Sequence, residues 1–500
     1  MIPQFETCRR WASSNRLLIF LLTVCIVRLW FMLLTGSFWT DETGTAFVVK
    51  LPGDTSLSVA PQVPASLYYV LPRAVDRLFG FSEILYRLPS LLLMGIAFFI
   101  IGRLAARLIH PDAAWFTVFL CFAMTDFNYY AVDARPYALG ICVTVASIYF
   151  LIEWVDTNRW QPALLFLLLA AVLWRVQLVF WAFYPVFVIY TLVRLARSTT
   201  RVGWSGAVLV YCLLALTLIP VAFDALRILH SAQAHVIVPI PRLRSLARSV
   251  AWKPIAFCLG FAWLSGWLFK WKRQTPASRD ALTLIAVWWL WMPLCLWTFS
   301  IVTGTVLFVP RYFSPALPGA ALAATAAVAL YLPRDCWKLA SAILAVVCLI
   351  VVGHWNVLWP HHGPDNWRDG AFQEHLAARE PDTPVIAVSP FIEAQPPAWS
   401  PAYHLPGFLY APLFVYPLRG TIYPFPFTIS QDAEQYGVTL VRDTLSKRPR
   451  FIVYGFGRNA LSWALWLSKR PELSGWSYTV ARAESIDTIV FDSPTLASPR

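Results

Sequence analysis

Residues 113–155 read AAWFTVFLCFAMTDFNYYAVDARPYALGICVTVASIYFLIEWV. Two apolar runs, Ala113–Tyr130 and Tyr137–Val155, flank a short polar turn that holds Asp133 and Arg135. Each run is close to the ~20 residues an α-helix needs to cross a bilayer core of about 30 Å. Charged side chains are costly inside that core and ordinary at its edge. The stretch therefore predicts two membrane spans joined by a turn at the membrane surface.

The pattern recurs along the chain. Of its 500 residues, 58% are hydrophobic and 13% are charged, and the mean hydropathy is +0.59. Soluble domains hold roughly 45–50% apolar and about 25% charged residues. The composition excludes a soluble globular protein and indicates a multi-pass membrane protein. Twenty-five Trp and 34 Phe residues suit aromatic belts at the membrane interfaces.

About eleven spans are expected. They run Leu17–Thr35, Leu88–Leu108, Ala113–Tyr130, Tyr137–Val155, Gln161–Leu173, Val176–Leu195, Ala207–Ala222, Pro254–Phe269, Ala281–Leu307, Tyr312–Leu332 and Leu339–Leu358. The N-terminal stretch lacks a small-residue cleavage site, so the first run reads as a retained span and not a signal peptide.

Arginine and lysine set the orientation. Arg9, Arg10, Arg16, Arg103, Arg107, Arg159, Arg194, Arg197, Arg201, Lys270, Lys272, Arg273, Arg279, Arg334 and Lys338 fall at alternate ends and mark the cytoplasmic side. With an odd number of spans, the N-terminus is cytoplasmic and the C-terminus lies outside. The net charge of +13 is spread over these short loops. It is a topology signal, and no nucleic-acid partner is expected. None of the nine cysteines forms a metal-ligand pair by spacing.

After Leu358 the composition shifts to proline, histidine and charge. DTPVIAVSP, PRFIVYGFG and SIDTIVFDSP read as buried strands. DNWRDGAFQEHLAA and ISQDAEQYGVTLVRDTL read as helices, the first capped by Asp365. Phe391–Phe427, rich in proline and aromatics, reads as a long ordered loop or a flap on the membrane surface. The expected organisation is a membrane domain over 1–359, with outer loops at 36–87 and 131–137, followed by an extracytoplasmic α/β domain over 360–500.

On this topology Asp41 and Glu42, in FWTDETGTA, share the outer face with Asp133 and Arg135. An acid there is suited to taking a proton from a hydroxyl nucleophile. Arginine holds phosphate through a charged two-pronged fork. Arg175 in LWRVQ and Arg311 in FVPRYFSP fall at the same face, and Tyr137 and Tyr312 stand beside these groups as further substrate contacts. The set fits a phosphate-linked substrate presented from the outer leaflet. Glu42 also reads as a helix cap or a solvated charge, and the arginines as headgroup anchors.

The motifs WTDE, YRLPS, DARPYALG, PRYFSPALPG and DNWRDGAFQ occur in that order. Together they resemble the bacterial C-type glycosyltransferases related to protein O-mannosyltransferases and to the lipid A aminoarabinose and galacturonic acid transferases. The resemblance spans nearly the whole chain. It implies a polyprenyl-phosphate-linked sugar donor and a glycan, lipid or protein acceptor hydroxyl. It places transfer at the outer face of a bacterial inner membrane, with inversion at the sugar. Asp41 matches the family's first-loop catalytic acid and Asp133 the second-loop acid, while Arg135 and Arg311 match phosphate contacts. Some members hold a divalent metal with a histidine after span seven, where this chain has His230 and His235. The chain departs from the family at PQVPASLYYVLP, where Gln62 and Val63 replace a His-Pro, and at WRVQ, where relatives carry a histidine. A lipid-linked glycan flippase or transporter, and a whole-glycan ligase or polymerase, are the rival readings. Transport would place ionisable groups near the membrane midplane, whereas the notable acids here cluster at one face.

Overall fold

A computed structural model describes residues 15–232, 240–275, 277–305 and 307–494, with the side chains of 228–232 excepted. The chain divides into two compact units. The first comprises Met1–Leu34, Ser66–Leu71 and Ile84–Pro360, and the second Thr35–Ala65, Pro72–Glu83 and His361–Arg500.

The first unit is helical. Among the described residues, eight helices are long and apolar enough to cross a membrane, from Arg16–Leu33 to Arg334–Val352. Shorter helices at Ala113–Ala123, Trp160–Val176 and Trp252–Leu268 lie where three further spans were expected. The third span is broken. Met124 leaves the helical region (φ −86°, ψ 102°), and a new helix, Thr125–Ala131, begins after it. Tyr137–Thr157 is among the most enclosed of these helices, and Gly140 on it faces Phe180 so closely that a Cβ would lie 2.4 Å from the ring. Gly319 meets the backbone at Trp289 in the same way, at 2.6 Å. Small residues let such helices approach where lipid supplies no hydrophobic drive between them.

Several charges in this unit are paired or bonded. Arg107 bridges Glu153 and Asp156, Arg194 reaches Asp156 at 2.7 Å, and Arg197 reaches Asp280 at 2.8 Å. Buried Arg28 donates to the carbonyls of Gly353, His354, Val357 and Leu358 at 2.6–2.7 Å. It thus fixes the turn that follows the last span.

The second unit is built on a five-stranded sheet of order β2-β1-β3-β5-β4. The strands are β1 (Pro384–Val388), β2 (Thr421–Phe425), β3 (Arg450–Phe456), β4 (Ser477–Ala483) and β5 (Ile486–Asp492). β1 runs parallel to β2 and β3, whereas β5 is antiparallel to β3 and β4. Alternation along β3 fills both faces: Phe451 and Val453 pack with Trp463 and Leu440, and Ile452 and Tyr454 with Trp367. A sheet covered on both faces explains why β1 is buried at every position.

Three expectations need correction. Phe391–Phe427 is not one long loop, because it contains the helix Ala411–Val415 and strand β2. Pro424 masks that strand, and the sheet tolerates it because β2 is an edge strand. The cap of the helix Trp367–Ala377 is Asn366, which accepts from the Asp369 amide at 3.1 Å. Asp365 is engaged elsewhere, by Thr40. The stretch 36–87 is also folded, with helices Thr40–Lys50 and Val70–Phe79.

Candidate active site

In the membrane unit, Asp133 is fully buried. Its carbonyl accepts from the Arg135 amide at 2.8 Å, which turns the chain ahead of Pro136 and the helix Tyr137–Thr157. Arg135 is half-buried, and its Nη1 lies 3.4 Å from the Tyr69 hydroxyl. Tyr130 lies within electrostatic reach of Asp126, Asp133, Tyr137 and Arg311. Its ring is 5.0 Å from that of Tyr137. Half-buried Arg311 approaches the ring of its neighbour Tyr312 at 5.9 Å. Asp133 and Arg135 thus share one turn, Arg135 reaches Tyr69, and Tyr137 packs on Tyr130, all in one unit.

Arg175 is placed differently. Its Nη1 donates to the Ala171 carbonyl at 2.6 Å and its Nη2 to the Thr217 carbonyl at 2.8 Å. Two of its donors therefore join neighbouring helices.

In the second unit, Asp41 and Glu42 occupy the first turn of the helix Thr40–Lys50. Exposed amides and the helix dipole favour carboxylates there. The two acids differ. Asp41 is half-exposed, whereas Glu42 is fully buried and accepts from the Trp39 amide at 3.3 Å. Glu42 therefore does cap the helix, as one reading of the sequence held. It also faces buried His362, with Oε1 and Nε2 4.0 Å apart.

The helix start is pinned from the other end of the sequence. The Asp365 carboxylate accepts from the Thr40 amide at 3.0 Å and the Thr40 hydroxyl at 2.7 Å. Its second oxygen accepts from the Ser485 hydroxyl at 2.9 Å. Gly363, at φ +78°, lies so close to Trp39 that a Cβ would sit 2.9 Å from the Trp39 Cβ. Only glycine meets both demands.

His362 was missed from the sequence. Its one signal was the histidine pair before GPDNW, read only as a shift in composition. His230's side chain and the whole of His235 lie outside the described residues. Glu42 and His362 are a donor set suited to a divalent cation. Two donors each about 2.1 Å from one ion stand at most about 4.2 Å apart, and their 4.0 Å separation meets that limit.

Residues 64–223 match the family model for dolichyl-phosphate-mannose-protein mannosyltransferase. That match contains Asp133, Arg135, Tyr137 and Arg175. With eight helices among the described residues long and apolar enough to cross a membrane, it supports one class: a multi-pass membrane glycosyltransferase.

The solved structures extend the fold over the whole chain. ArnT from Cupriavidus metallidurans in the apo state is 13% identical, covers 98% of this chain and 100% of its own, and superposes with a TM-score of 0.57. ArnT from the same organism bound to undecaprenyl phosphate is 14% identical, covers 97% and 100%, and also gives 0.57. The fold is thus the one that ArnT has, a helical membrane unit with a C-terminal unit built on a small sheet. No functionally curated protein matches the chain.

Proposed function

We propose that this protein transfers one sugar from a polyprenyl-phosphate carrier to an acceptor hydroxyl, with inversion, at the outer face of a bacterial inner membrane. The observation that carries this reading is that Asp133 and Arg135 share one turn of the membrane unit, with Arg135 reaching Tyr69 and Tyr137 packed on Tyr130. The ArnT structure bound to undecaprenyl phosphate supports a carrier of that class.

The acceptor oxygen attacks the anomeric carbon as its bond to the carrier phosphate breaks. Asp41, half-exposed, takes the acceptor proton. The leaving polyprenyl phosphate carries its charge to Arg135 and Arg311, and compensating a developing charge is usually the largest catalytic term. Asp133 orients the groups on its own turn. Glu42 and His362 would hold a divalent cation, which would supply Lewis-acid charge when bound. Charge stays balanced, and neither an oxidant nor a nucleotide is required.

The test is mass spectrometry of envelope lipids and glycans from cells lacking the protein, then restored with wild type or with Asp41→Asn. Loss of one sugar, restored by wild type alone, identifies both sugar and acceptor. Unchanged glycans, or full rescue by Asp41→Asn, would turn the reading toward transport.

A further inference from the structure

A cavity of about 490 Å³ opens in the second unit at the carboxyl end of β3. Its wall is Phe456, its floor Gly457, and its rim the turn between β4 and β5. Carboxyl ends of parallel strands are where open α/β sheets take their ligands, and the volume suits a small molecule.

The lining is mostly apolar by area and carries two arginines and two carboxylates. Asp487 is 1% exposed, and Arg482 Nε donates to it at 3.0 Å. A Cβ on Gly457 would lie 2.7 Å from the Asp487 carboxylate, so a larger residue would crowd this pair. Arg458 is exposed, and its guanidinium has no hydrogen-bond or ion-pair partner among the described residues. Glu484 stands opposite, at φ +56°. Two arginines and two carboxylates thus line one cavity, with Arg482 paired to Asp487. A free phosphate would meet the carboxylates, and a cation would meet the arginines. A neutral polyol uses both, because each hydroxyl donates and accepts, and Phe456 offers an apolar wall for the face of a sugar ring.

The rim is also wired to the acid-bearing helix. Ser485 donates to Asp365, the residue that holds Thr40 at the helix start. Glu484 lies 3.7 Å from His361, whose neighbour His362 faces Glu42. A ligand here would sit on the same frame that positions Asp41.

We infer that this cavity is an acceptor subsite that takes one neutral sugar ring of a glycan acceptor. The inference rests on the transferase reading above. Arg458 and Arg482 donate to vicinal hydroxyls, Glu484 accepts, and the ring packs on Phe456.

The test uses the full-length protein in nanodiscs on an array of neutral, phosphorylated and uronic-acid oligosaccharides. Neutral glycans are expected to bind. Arg458→Ala, a surface change, and Arg482→Lys, which keeps a cation beside buried Asp487, are each expected to weaken that binding about tenfold. In the cellular transfer assay, the two arginine variants should raise the acceptor KM and spare kcat. No glycan binding, binding confined to anionic glycans, or binding indifferent to both arginines overturns the subsite. Wild-type transfer with the arginine variants unaffected would reject the subsite and leave the transferase standing. Glycan binding that needs both arginines, without any transfer in cells, would do the reverse.

Discussion

Asp365 and Thr40 are 325 residues apart in sequence and joined twice, through the Thr40 amide and the Thr40 hydroxyl. The carboxylate therefore acts as a cap delivered from a distance, fixing the first turn that carries Asp41. Asp365→Ala removes both bonds and is expected to cost the helix about 1 kcal/mol. Displacing a proton acceptor by ~1 Å can cost about 100-fold in rate. We expect kcat to fall on that order with the donor KM little changed, and Asp365→Asn to recover part of it. A loss of melting temperature with kcat intact would make the role structural alone.

Asp41 and Glu42 are adjacent and should behave differently. Asp41→Asn keeps the shape of a half-exposed residue, so the melting temperature should hold while transfer falls by roughly 10²–10⁴, the usual contribution of a general base. Glu42→Gln alters a fully buried group that caps the helix and faces His362, so both stability and transfer should fall. Thermal melts and single-turnover rates on the two variants check this. If Asp41→Asn transfers normally, another group takes the proton.

The spans were readable because twenty apolar residues leave few alternatives, and each expected span has a helix. β1, β3 and β5 were equally plain as short apolar runs between turn residues. β4 was hidden because its outer positions are exposed and polar, and β2 because of Pro424. The acids were legible as residue types at a membrane border. The grouping of Thr35–Ala65 with His361–Arg500 was not. It depends on pairings such as Thr40–Asp365 and Trp39–Gly363, which no local pattern encodes. The helix Thr40–Lys50 did leave a sign, since a glutamate three residues past the cap is half of a capping box.

Three arginines separate by their partners. Arg135 reaches Tyr69 and lies on the turn of Asp133, and Arg311 lies against Tyr312, whereas Arg175 donates to two backbone carbonyls. Arg311→Ala and Arg135→Ala should raise the donor KM and lower kcat about 10²-fold or more, with stability kept. Arg175→Ala should lower the melting temperature first, because it removes the side-chain bonds that tie the helix Trp160–Val176 to the helix Trp204–Ala232. Titrating a short-chain polyprenyl-phosphate sugar against each purified variant measures this. An Arg175 variant that melts normally but loses donor affinity would move Arg175 to the phosphate.

The Glu42–His362 pair gives the last prediction. Both side chains are buried, and their 4.0 Å separation is within reach of one divalent cation. A ligand that binds only the folded state raises stability by mass action. Zinc or manganese added to chelator-treated protein should therefore raise the melting temperature, and His362→Ala should abolish that rise. His362→Ala also opens a cavity at a buried position, so the variant is compared with its own metal-free melting temperature. Transfer measured in parallel then separates two cases. If metal raises both stability and rate, the pair holds a working cation. If neither responds and His362→Ala transfers normally, the pair serves the helix start alone, and the leaving phosphate depends on the arginines for its countercharge.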